Sequence, residues 1–436
     1  MKLNVYIFGK KVGILYDVDN IIYFKYDKSF LMGNLKISPL KLPLSLGEKP
    51  YTNLDHTEYY NYLAGVFFDS LPDKFGTKAI EKYYEQKGEN PKELTTLQKL
   101  AFIGKNSMGA LEYEPALFTE EVKEVLNIRD LYNQTKFIIE SNPDDFTDDW
   151  IKYASSYASA GGARPKVLVS WNRKENIIKS KDNKEDGFEE WLIKFDERVG
   201  NPQKYYGFMQ LEYLYMSMAK KVGIDVPEID LIKCNNGLIH YAIKRFDRVN
   251  GEKLHLHTLA SMEHINFNLP AHYSYLNFLR LVEYLTNDKT QVVEAFKRMV
   301  FNVIGRNQDD HAKNFSFLMD KNGKWSLSPA YDITYAFGAG YTKQHQMTIN
   351  GKTDNIEIKD IYTIAEKLDI PQKKVNQIIE EIGDEFLEFP KRAKELDINK
   401  EFIDEIYNNI RWHIPKSVGL KSNKTRKKSN TTKFKP

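Results

Sequence analysis

The chain shows two kinds of hydrophobic pattern, and the change between them falls near its middle. Apolar and polar residues alternate over residues 1–40, which is typical of an antiparallel meander with a turn at Gly9-Lys10. Further strand-like runs recur as far as residue 244. From residue 254 onward apolar residues mostly recur at helical spacing. A β-rich half followed by an α-rich half predicts an α+β fold with two lobes and a cleft between them, which is a common place for a ligand such as a nucleotide.

A polar cluster interrupts the helical half between Phe301 and Ala336. The apolar residues before it predict the end of a buried helix, and a strand-like run begins at Phe315. Asn322-Gly323 is the strongest short-range signal for a two-residue hairpin turn, and a second strand follows at residues 325–328.

This hairpin predicts that Asp309, Asn314 and Asp332 converge at one end of the ribbon. Carboxylate and carboxamide oxygens suit Mg²⁺. Asp309 and Asn314 stand as D-x-x-x-x-N, the spacing of the protein-kinase catalytic loop, although no His-Arg-Asp or Asp-Phe-Gly sequence occurs. In phosphoryl transfer Asp309 would orient or deprotonate the attacking hydroxyl, while Asn314 and Asp332 would hold Mg²⁺ on the nucleotide. A helix cap with solvated polar residues is the alternative interpretation.

Two lysines upstream are candidate phosphate ligands. Lys166 begins a strand after a loop that contains Gly161 and Gly162, and glycines let backbone N–H groups approach phosphates. The loop lacks the P-loop sequence, so a plain connection remains the alternative. Lys194 lies within an apolar strand, where a lysine is costly unless paired. A kinase uses such a lysine on the α- and β-phosphates, and Glu212 is a candidate partner; surface positions for both residues are the alternative.

Several motifs together resemble those of the HipA-type serine/threonine kinases, the toxin half of bacterial HipBA toxin–antitoxin pairs. NQDDHAKNFSFL and LSPAYDIT resemble the family signature, and PLSLGEKPY, FFDSLPDKFG and MGALEY resemble segments of the HipA amino-terminal region, in the same order. The resemblance covers roughly residues 1–415. It implies a protein-kinase-like fold with an N-terminal subdomain (1–115), a kinase N-lobe (116–245) and a helical C-lobe (246–415), followed by a tail (416–436).

The resemblance also implies roles for single residues around the phosphates. The loop before Lys166 resembles the family's nucleotide-phosphate loop, which assigns Gly161, Gly162 and Ala163 to phosphate binding. Ser159 falls where the family carries an autophosphorylated serine, with Ser155 and Ser156 as competing candidates. Phosphorylation there would add about two negative charges where the ATP phosphates are expected, which is a physical route to self-inactivation.

The sequence KRFDR resembles the family segment that links the two lobes and lies against the adenine. Lys244 and Phe246 are therefore expected beside the base, and Asp247 is expected to hold either the ribose or an arginine. His311 and Lys313 are expected at the nucleotide, with core packing as the alternative for His311.

The expected function is an ATP- and Mg²⁺-dependent serine/threonine kinase that acts as a toxin. The resemblance implies a HipB-like helix-turn-helix antitoxin, operator DNA bound through that antitoxin, and a protein substrate such as glutamyl-tRNA synthetase. Two other classes stay open. One is a non-catalytic co-repressor on the operator; the other is a metal-dependent hydrolase that uses Asp309, Asp310, His311 and Asp332.

Composition changes this picture at two points. No apolar run is long enough for a transmembrane helix, and the single cysteine, Cys234, excludes an internal disulfide and a cysteine-based zinc site. A cytoplasmic protein without membrane contact is the expectation. Residues 416–436 carry eight Lys or Arg and no Asp or Glu, which predicts a disordered basic tail. The tail fits contacts to DNA phosphates, and equally a solvated segment without a task.

Overall fold

A computed structural model of the chain describes residues 1–118, 125–140, 154–158, 164–182, 185–199 and 205–420. The chain divides into two compact units. The strand-rich unit comprises Met1–Tyr205, Pro227–Asn266 and Phe315–Ser328, and the helical unit comprises Tyr206–Val226, Phe267–Asn314 and Pro329–Pro436. Over the described residues, every helix is too short or too polar to cross a membrane.

The strands of the strand-rich unit are β1 Lys2–Ile7, β2 Lys10–Val18, β3 Ile21–Tyr26, β4 Leu111–Glu114, β5 Val125–Leu126, β6 Lys166–Asn172, β7 Ile177–Ser180, β8 Glu189–Lys194, β9 Ile229–Lys233, β10 Ile239–Lys244, β11 Arg248–Val249, β12 Glu252–Lys253, β13 His255–Thr258, β15 Ser316–Met319 and β16 Trp325–Leu327. Its helices are α1 Lys28–Leu31, α2 Thr57–Tyr60, α3 Gly65–Phe68, α4 Lys74–Gln86, α5 Thr96–Ile103, α6 Ile128–Glu140, α7 Ala154–Ala158 and α9 Leu259–Glu263.

The helical unit contains α8 Phe208–Lys221, α10 Tyr275–Thr286, α11 Lys289–Ile304, α12 Ile358–Glu366, α13 Gln372–Leu387, α14 Phe389–Glu395, α15 Lys400–Asn409 and α16 His413–Ser417. Two short strands, β14 Tyr273–Ser274 and β17 Met347–Thr348, pair in parallel.

The strand-rich unit contains three sheets of three or more strands and the two-stranded sheet β11-β12. The first has the order β3-β2-β1-β4, and the side chains of Leu3, Val5 and Ile7 on β1 are fully buried at every second position. The second has the order β5-β7-β6-β8-β10-β9. Its strand β6 is buried along its whole length, including the polar side chains of Lys166, Ser170 and Asn172.

The third sheet, β13-β15-β16, contains the predicted hairpin, with a turn of a different length. Asp320 and Lys324 close a three-residue loop rather than a two-residue one. The Asp320 carboxylate accepts hydrogen bonds from the backbone N–H groups of Asn322 and Lys324, both at 2.9 Å, and Gly323 has a φ of 85°. The aspartate side chain therefore sets the turn, and Gly323 supplies the left-handed residue that such loops need.

Long helices with apolar faces build the helical unit. Ser274 caps α10 and Asp288 caps α11, each accepting a hydrogen bond from a backbone N–H in the first turn. α11 is almost fully buried in its second half and ends at Gly305, where a Cβ would collide with the ring of Phe386. Glu212 on α8 is buried, so the surface alternative for it is wrong. α16 reaches Ser417, so the first residues of the predicted tail are helical; residues 421–436 lie outside the described part.

Candidate active site

The segment 305–314, directly after α11, carries the predicted catalytic residues. It pairs with the chain just beyond Asp332: Asn307 and Ala336 form a parallel bridge, the N–H of Gln308 donates to the carbonyl of Ala336 at 3.0 Å, and the N–H of Ala336 donates to Arg306 at 3.1 Å. This pairing holds the segment 305–314 beside the residues that follow Asp332, within the helical unit.

Asp309 and Asn314 are in direct contact. The Asn314 Nδ2 donates to the carbonyl oxygen of Asp309 at 2.8 Å, and the intervening residues close a short 3₁₀ turn at Ala312–Asn314. The hydroxyl of Tyr331 donates to the carbonyl of Lys313 at 2.9 Å, which brings the residue before Asp332 against the same turn. The Asp309 side chain stays 44% exposed and is thus reachable from solvent.

Asp332 has a left-handed backbone with a φ of 53°, and Arg306, at the start of the segment 305–314, has a φ of 56°. For residues with a Cβ this conformation is uncommon and costs about 1–3 kcal/mol. Strain of this kind clusters at functional sites, where surrounding contacts fix the geometry. The surrounding fold must therefore hold the backbone of Arg306 and Asp332 in this left-handed conformation.

His311 lies among aromatic rings beside the carboxylates. Its ring centroid is 5.1 Å from that of Phe267, and its Nε2 is 3.8 Å from the nearer Asp309 oxygen. Burial lowers the pKa of His311 to about 4, against the opposing effect of the Asp332 charge. The ring is therefore neutral at physiological pH and adds no positive charge next to Asp309.

Asp310, adjacent to Asp309, has a different environment. Its carboxylate is buried and accepts hydrogen bonds from Tyr275 Oη, His345 Nδ1 and the backbone N–H of Gln346 at 2.7, 2.7 and 2.8 Å. Sequence reasoning did not find this role, because the partners lie 35 residues away on each side and no local pattern connects them. Since three donors occupy Asp310, the set proposed for the hydrolase alternative loses one of its carboxylates.

In the strand-rich unit, Lys166 and Lys194 lie directly opposite each other on β6 and β8. Tyr241 on β10 is the next partner across the sheet, and the Lys194 Nζ lies 5.8 Å from its ring centroid. Side chains opposite each other on neighbouring strands share one face, about 5 Å apart. Both lysines are at least nine-tenths buried, and Lys166 Nζ is 4.0 Å from a carboxylate oxygen of Asp73. The two predicted phosphate ligands thus lie next to each other on one face of the sheet.

The KRFDR segment is strongly tied into the strand-rich unit. The side chain of Lys244 contacts Glu189 at 2.5 Å and Glu228 at 2.9 Å, and its backbone N–H donates to Glu228. Asp247 is fully buried and accepts hydrogen bonds from Arg245, Arg248 and the N–H of Gly109. Although burial opposes it, these two guanidinium groups hold the pKa of Asp247 well below its usual range.

Of the two roles predicted for Asp247, these contacts match the one in which it holds an arginine. The Phe246 side chain, between these two arginines in sequence, is partly buried. Ser159, Gly161, Gly162 and Ala163 lie outside the described residues. Of the competing serines, Ser156 is buried on α7.

Comparison with known proteins identifies the class of protein that this fold and site define. The HipA-like C-terminal domain model matches residues 158–388, and the HipA N-terminal domain model matches residues 3–114. The chain belongs to the HipA family.

Individual relatives are distant. The "Putative kinase Y4dM" of Sinorhizobium fredii is 29% identical over 157 residues, which are 33% of this chain and 36% of that protein. The serine/threonine-protein kinase toxin HipA of Shewanella oneidensis is 24% identical over 312 residues, 65% of each protein. The chain therefore spans between about one third and two thirds of these relatives' lengths.

A solved structure shares the fold over almost the whole chain. It is the HipA chain in the complex of Shewanella oneidensis HipA, HipB and operator DNA, with a TM-score of 0.65 and 17% identity over 93% of this chain and 95% of that chain. The predicted fold class, α+β and HipA-like, is confirmed by this match.

Proposed function

We propose that this chain is an ATP-dependent protein serine/threonine kinase and the toxin of a toxin–antitoxin pair. The supporting observation is the pairing of the segment 305–314 with the chain beyond Asp332, which holds Asp309, Asn314 and Asp332 within one unit. The kinase names of its relatives agree with this proposal.

In this proposal Asp309 orients the acceptor hydroxyl and receives its proton, because its carboxylate side chain is 44% exposed. Asn314 and Asp332 would hold Mg²⁺, whose charge stabilises the transferring phosphoryl group. Lys194 and Lys166 would bind the ATP phosphates from the strand-rich unit. Lys313 and His311 would border the nucleotide, with Lys244 and Phe246 near the base.

The test is label transfer from γ-labelled ATP in the presence of Mg²⁺. Wild-type protein and Asp309→Asn are each incubated alone and with a bacterial lysate, and phosphorylated residues are located by mass spectrometry. We expect label with the wild type and a loss of about 10²–10⁴-fold in Asp309→Asn, with nucleotide binding retained. Absence of both ATP binding and label transfer in the wild type would contradict the kinase proposal and favour the co-repressor.

The same experiment addresses the proposed regulation and substrate. Label on Ser159 in the wild type only would support autophosphorylation of the phosphate loop, and label on Ser155 or Ser156 would place it elsewhere. Label on an aminoacyl-tRNA synthetase in the lysate would identify the substrate class that the family resemblance implies.

We also propose a HipB-like antitoxin as partner, because the solved relative is a complex of HipA with HipB and operator DNA. Co-expression with a helix-turn-helix protein encoded beside this chain should yield a stable complex that binds operator DNA. Expression of the chain alone should arrest growth, while Asp309→Asn should not. Growth arrest by both proteins would separate toxicity from phosphoryl transfer.

A further inference from the structure

Asp354 joins two arginines in the helical unit. Its Oδ1 accepts a hydrogen bond from Arg411 Nη2 at 2.9 Å and lies 3.4 Å from Arg306 Nη1. The Arg411 side chain is only 2% exposed, while that of Asp354 is 45% exposed. Burial works against ionisation, but the N–H of Asn355 and the Arg411 guanidinium lower the pKa of Asp354 below its ordinary value. Arg411 is thus a buried cation whose carboxylate partner, Asp354, lies at the surface.

Arg306 lies in the segment 305–314, and Arg411 contacts the end of α11 just before that segment. The Nη1 of Arg306 also donates to the Gln308 side chain at 3.0 Å. The backbone N–H of Arg411 donates to the carbonyl of Ile304 at 3.0 Å, and its Nη1 donates to that of Val303 at 2.7 Å. These are the last carbonyls of α11, where a positive charge is favourable.

The same carboxylate belongs to a loop that contacts Asp310. Segment 337–357 follows Asp332, and within it the N–H of His345 donates to the carbonyl of Thr353 at 2.9 Å, which places the base of this loop beside Asp354. His345 donates from Nδ1 to Asp310 and accepts at Nε2 from Arg411 Nη1 at 2.7 Å. An unbroken chain of polar contacts therefore runs from Asp354 through Arg411 and His345 to the residue beside Asp309.

Protein kinases commonly order the segment after their metal-binding aspartate by phosphorylating it, because the phosphate pairs with arginines next to the catalytic loop. Here the arginine pair already has a carboxylate partner from the chain itself. We propose that Asp354 is a positioning residue that holds segment 337–357 against segment 305–314 through Arg306 and Arg411, so that the active arrangement needs no phosphate. This inference rests on the proposed kinase function for its effect on catalysis, but not for its effect on the loop.

The first test measures the loop directly. Hydrogen exchange of peptides from segment 337–357 is compared in wild type, Asp354→Ala and Asp354→Glu, with Asp404→Ala as the control. Asp404 is an exposed carboxylate on α15 of the same unit, so the control makes the same change of charge. We expect exchange about tenfold faster in Asp354→Ala, intermediate exchange in Asp354→Glu and no change in the control. Unchanged exchange in Asp354→Ala would overturn the proposal, whether or not the protein is a kinase.

The second test asks whether an anion alone restores the arrangement. Asp354→Ala leaves space beside two guanidinium groups, which sodium formate should fill better than sodium chloride at equal ionic strength. We expect formate to slow the exchange of segment 337–357 again and to restore label transfer. Equal effects of formate and chloride would show that the variant had lost general stability rather than a specific carboxylate, and would contradict the proposal.

The third test separates this inference from the proposed function. In an active wild type, Asp354→Ala should lower kcat about tenfold with KM for ATP nearly unchanged, because positioning rather than nucleotide binding is lost. Active wild-type protein should carry no phosphate on segment 337–357. A phosphate there, with activity lost after phosphatase treatment, would overturn the role of Asp354. Absence of label transfer in the wild type would contradict the kinase function and leave the hydrogen-exchange result to decide on the loop.

Discussion

At the scale of single residues, two neighbouring aspartates show how the fold divides its tasks. Asp309 exposes its carboxylate, while Asp310 buries its own among three hydrogen-bond donors from distant parts of the chain. The backbone carbonyl of Asp309 accepts a hydrogen bond from the Asn314 side chain. The Asp309 side chain is thus partly exposed, whereas that of Asp310 fixes the segment that carries both residues.

This difference predicts that replacing aspartate by asparagine affects stability at Asp310 and activity at Asp309. Asp310→Asn should lower the free energy of unfolding by about 2–3 kcal/mol, because it replaces an acceptor of three buried hydrogen bonds by an amide that also donates. Asp309→Asn should change stability by less than about 0.5 kcal/mol and act on label transfer instead. Urea unfolding followed by tryptophan fluorescence checks both. Equal stability of the two variants would contradict the buried role of Asp310.

A buried histidine predicts sensitivity to acid. His255 donates from Nε2 to the carbonyl of Ile37 at 2.8 Å, and burial, together with His257, lowers its pKa to about 4. Because the unfolded state binds the proton first, its contribution to stability is complete above about pH 6.5 and is lost as the pH falls toward 4. His255→Gln keeps a donor and cannot titrate, so between pH 7 and pH 5 it should lose about 2 kcal/mol less stability than the wild type.

The measurement is urea unfolding of wild type, His255→Gln and His272→Gln at both pH values. His272 is exposed in the helical unit, so its replacement should leave the wild-type pH dependence in place. A pH dependence of His255→Gln equal to that of the wild type would show that His255 does not titrate on unfolding.

At the scale of elements, local patterns predicted several strands and helices but not their partners. The β15–β16 hairpin was readable from Asn322-Gly323 and the flanking apolar residues, and the capping role of Asp320, which lengthens the turn, was not recognised. The pairing of β13 with β15 brings together residues about 60 positions apart, for which the sequence carries no local signal. For the same reason the D-x-x-x-x-N spacing pointed to Asp309 and Asn314, whereas His345, Arg411 and Asp354 were missed.

The contact between α3 and α9 depends on a glycine. A Cβ on Gly65 would lie 2.7 Å from the Ser261 carbonyl carbon, and the N–H of Gly65 donates to His264 Nε2 at 2.9 Å. Gly65→Ala should therefore force the two helices apart and cost about 2–3 kcal/mol. Gly338→Ala, where the nearest atom is 3.9 Å away, should cost less than about 0.5 kcal/mol. Thermal unfolding compares the two variants, and similar melting temperatures would contradict close packing of α3 on α9.

At the scale of the whole molecule, the two family models do not separate two packing units. Residues 3–114 match the HipA N-terminal domain model, yet they share buried contacts with residues 245–265 in the strand-rich unit. Tyr60 donates to the carbonyls of Ala260 and Ile265, and Asp69 accepts a hydrogen bond from His257 at 2.7 Å. The domain boundaries predicted from the sequence stay predictions. They state which parts of the chain fold independently, and independent folding has to be measured.

The buried Asp247 cluster makes that independence testable. Asp247, Arg245 and Arg248 bind the backbone of Ser107 and Gly109, so removing the N-terminal region would take away the backbone partners of this ion-pair cluster. Each lost hydrogen bond to a charged group costs about 1.5–3 kcal/mol, and exposure of the apolar surface that Tyr60 covers adds to that cost. A protein lacking residues 1–114 should therefore aggregate or unfold without a cooperative transition. Circular dichroism during heating, with gel filtration, measures this.

Removal of residues 421–436 is the matched control, because that basic stretch contains one aromatic residue and no aliphatic residue larger than proline with which to form a core. This shortened protein should keep the melting temperature of the full chain. A cooperative, monomeric protein without residues 1–114 would show that the two family models are independent folding domains after all.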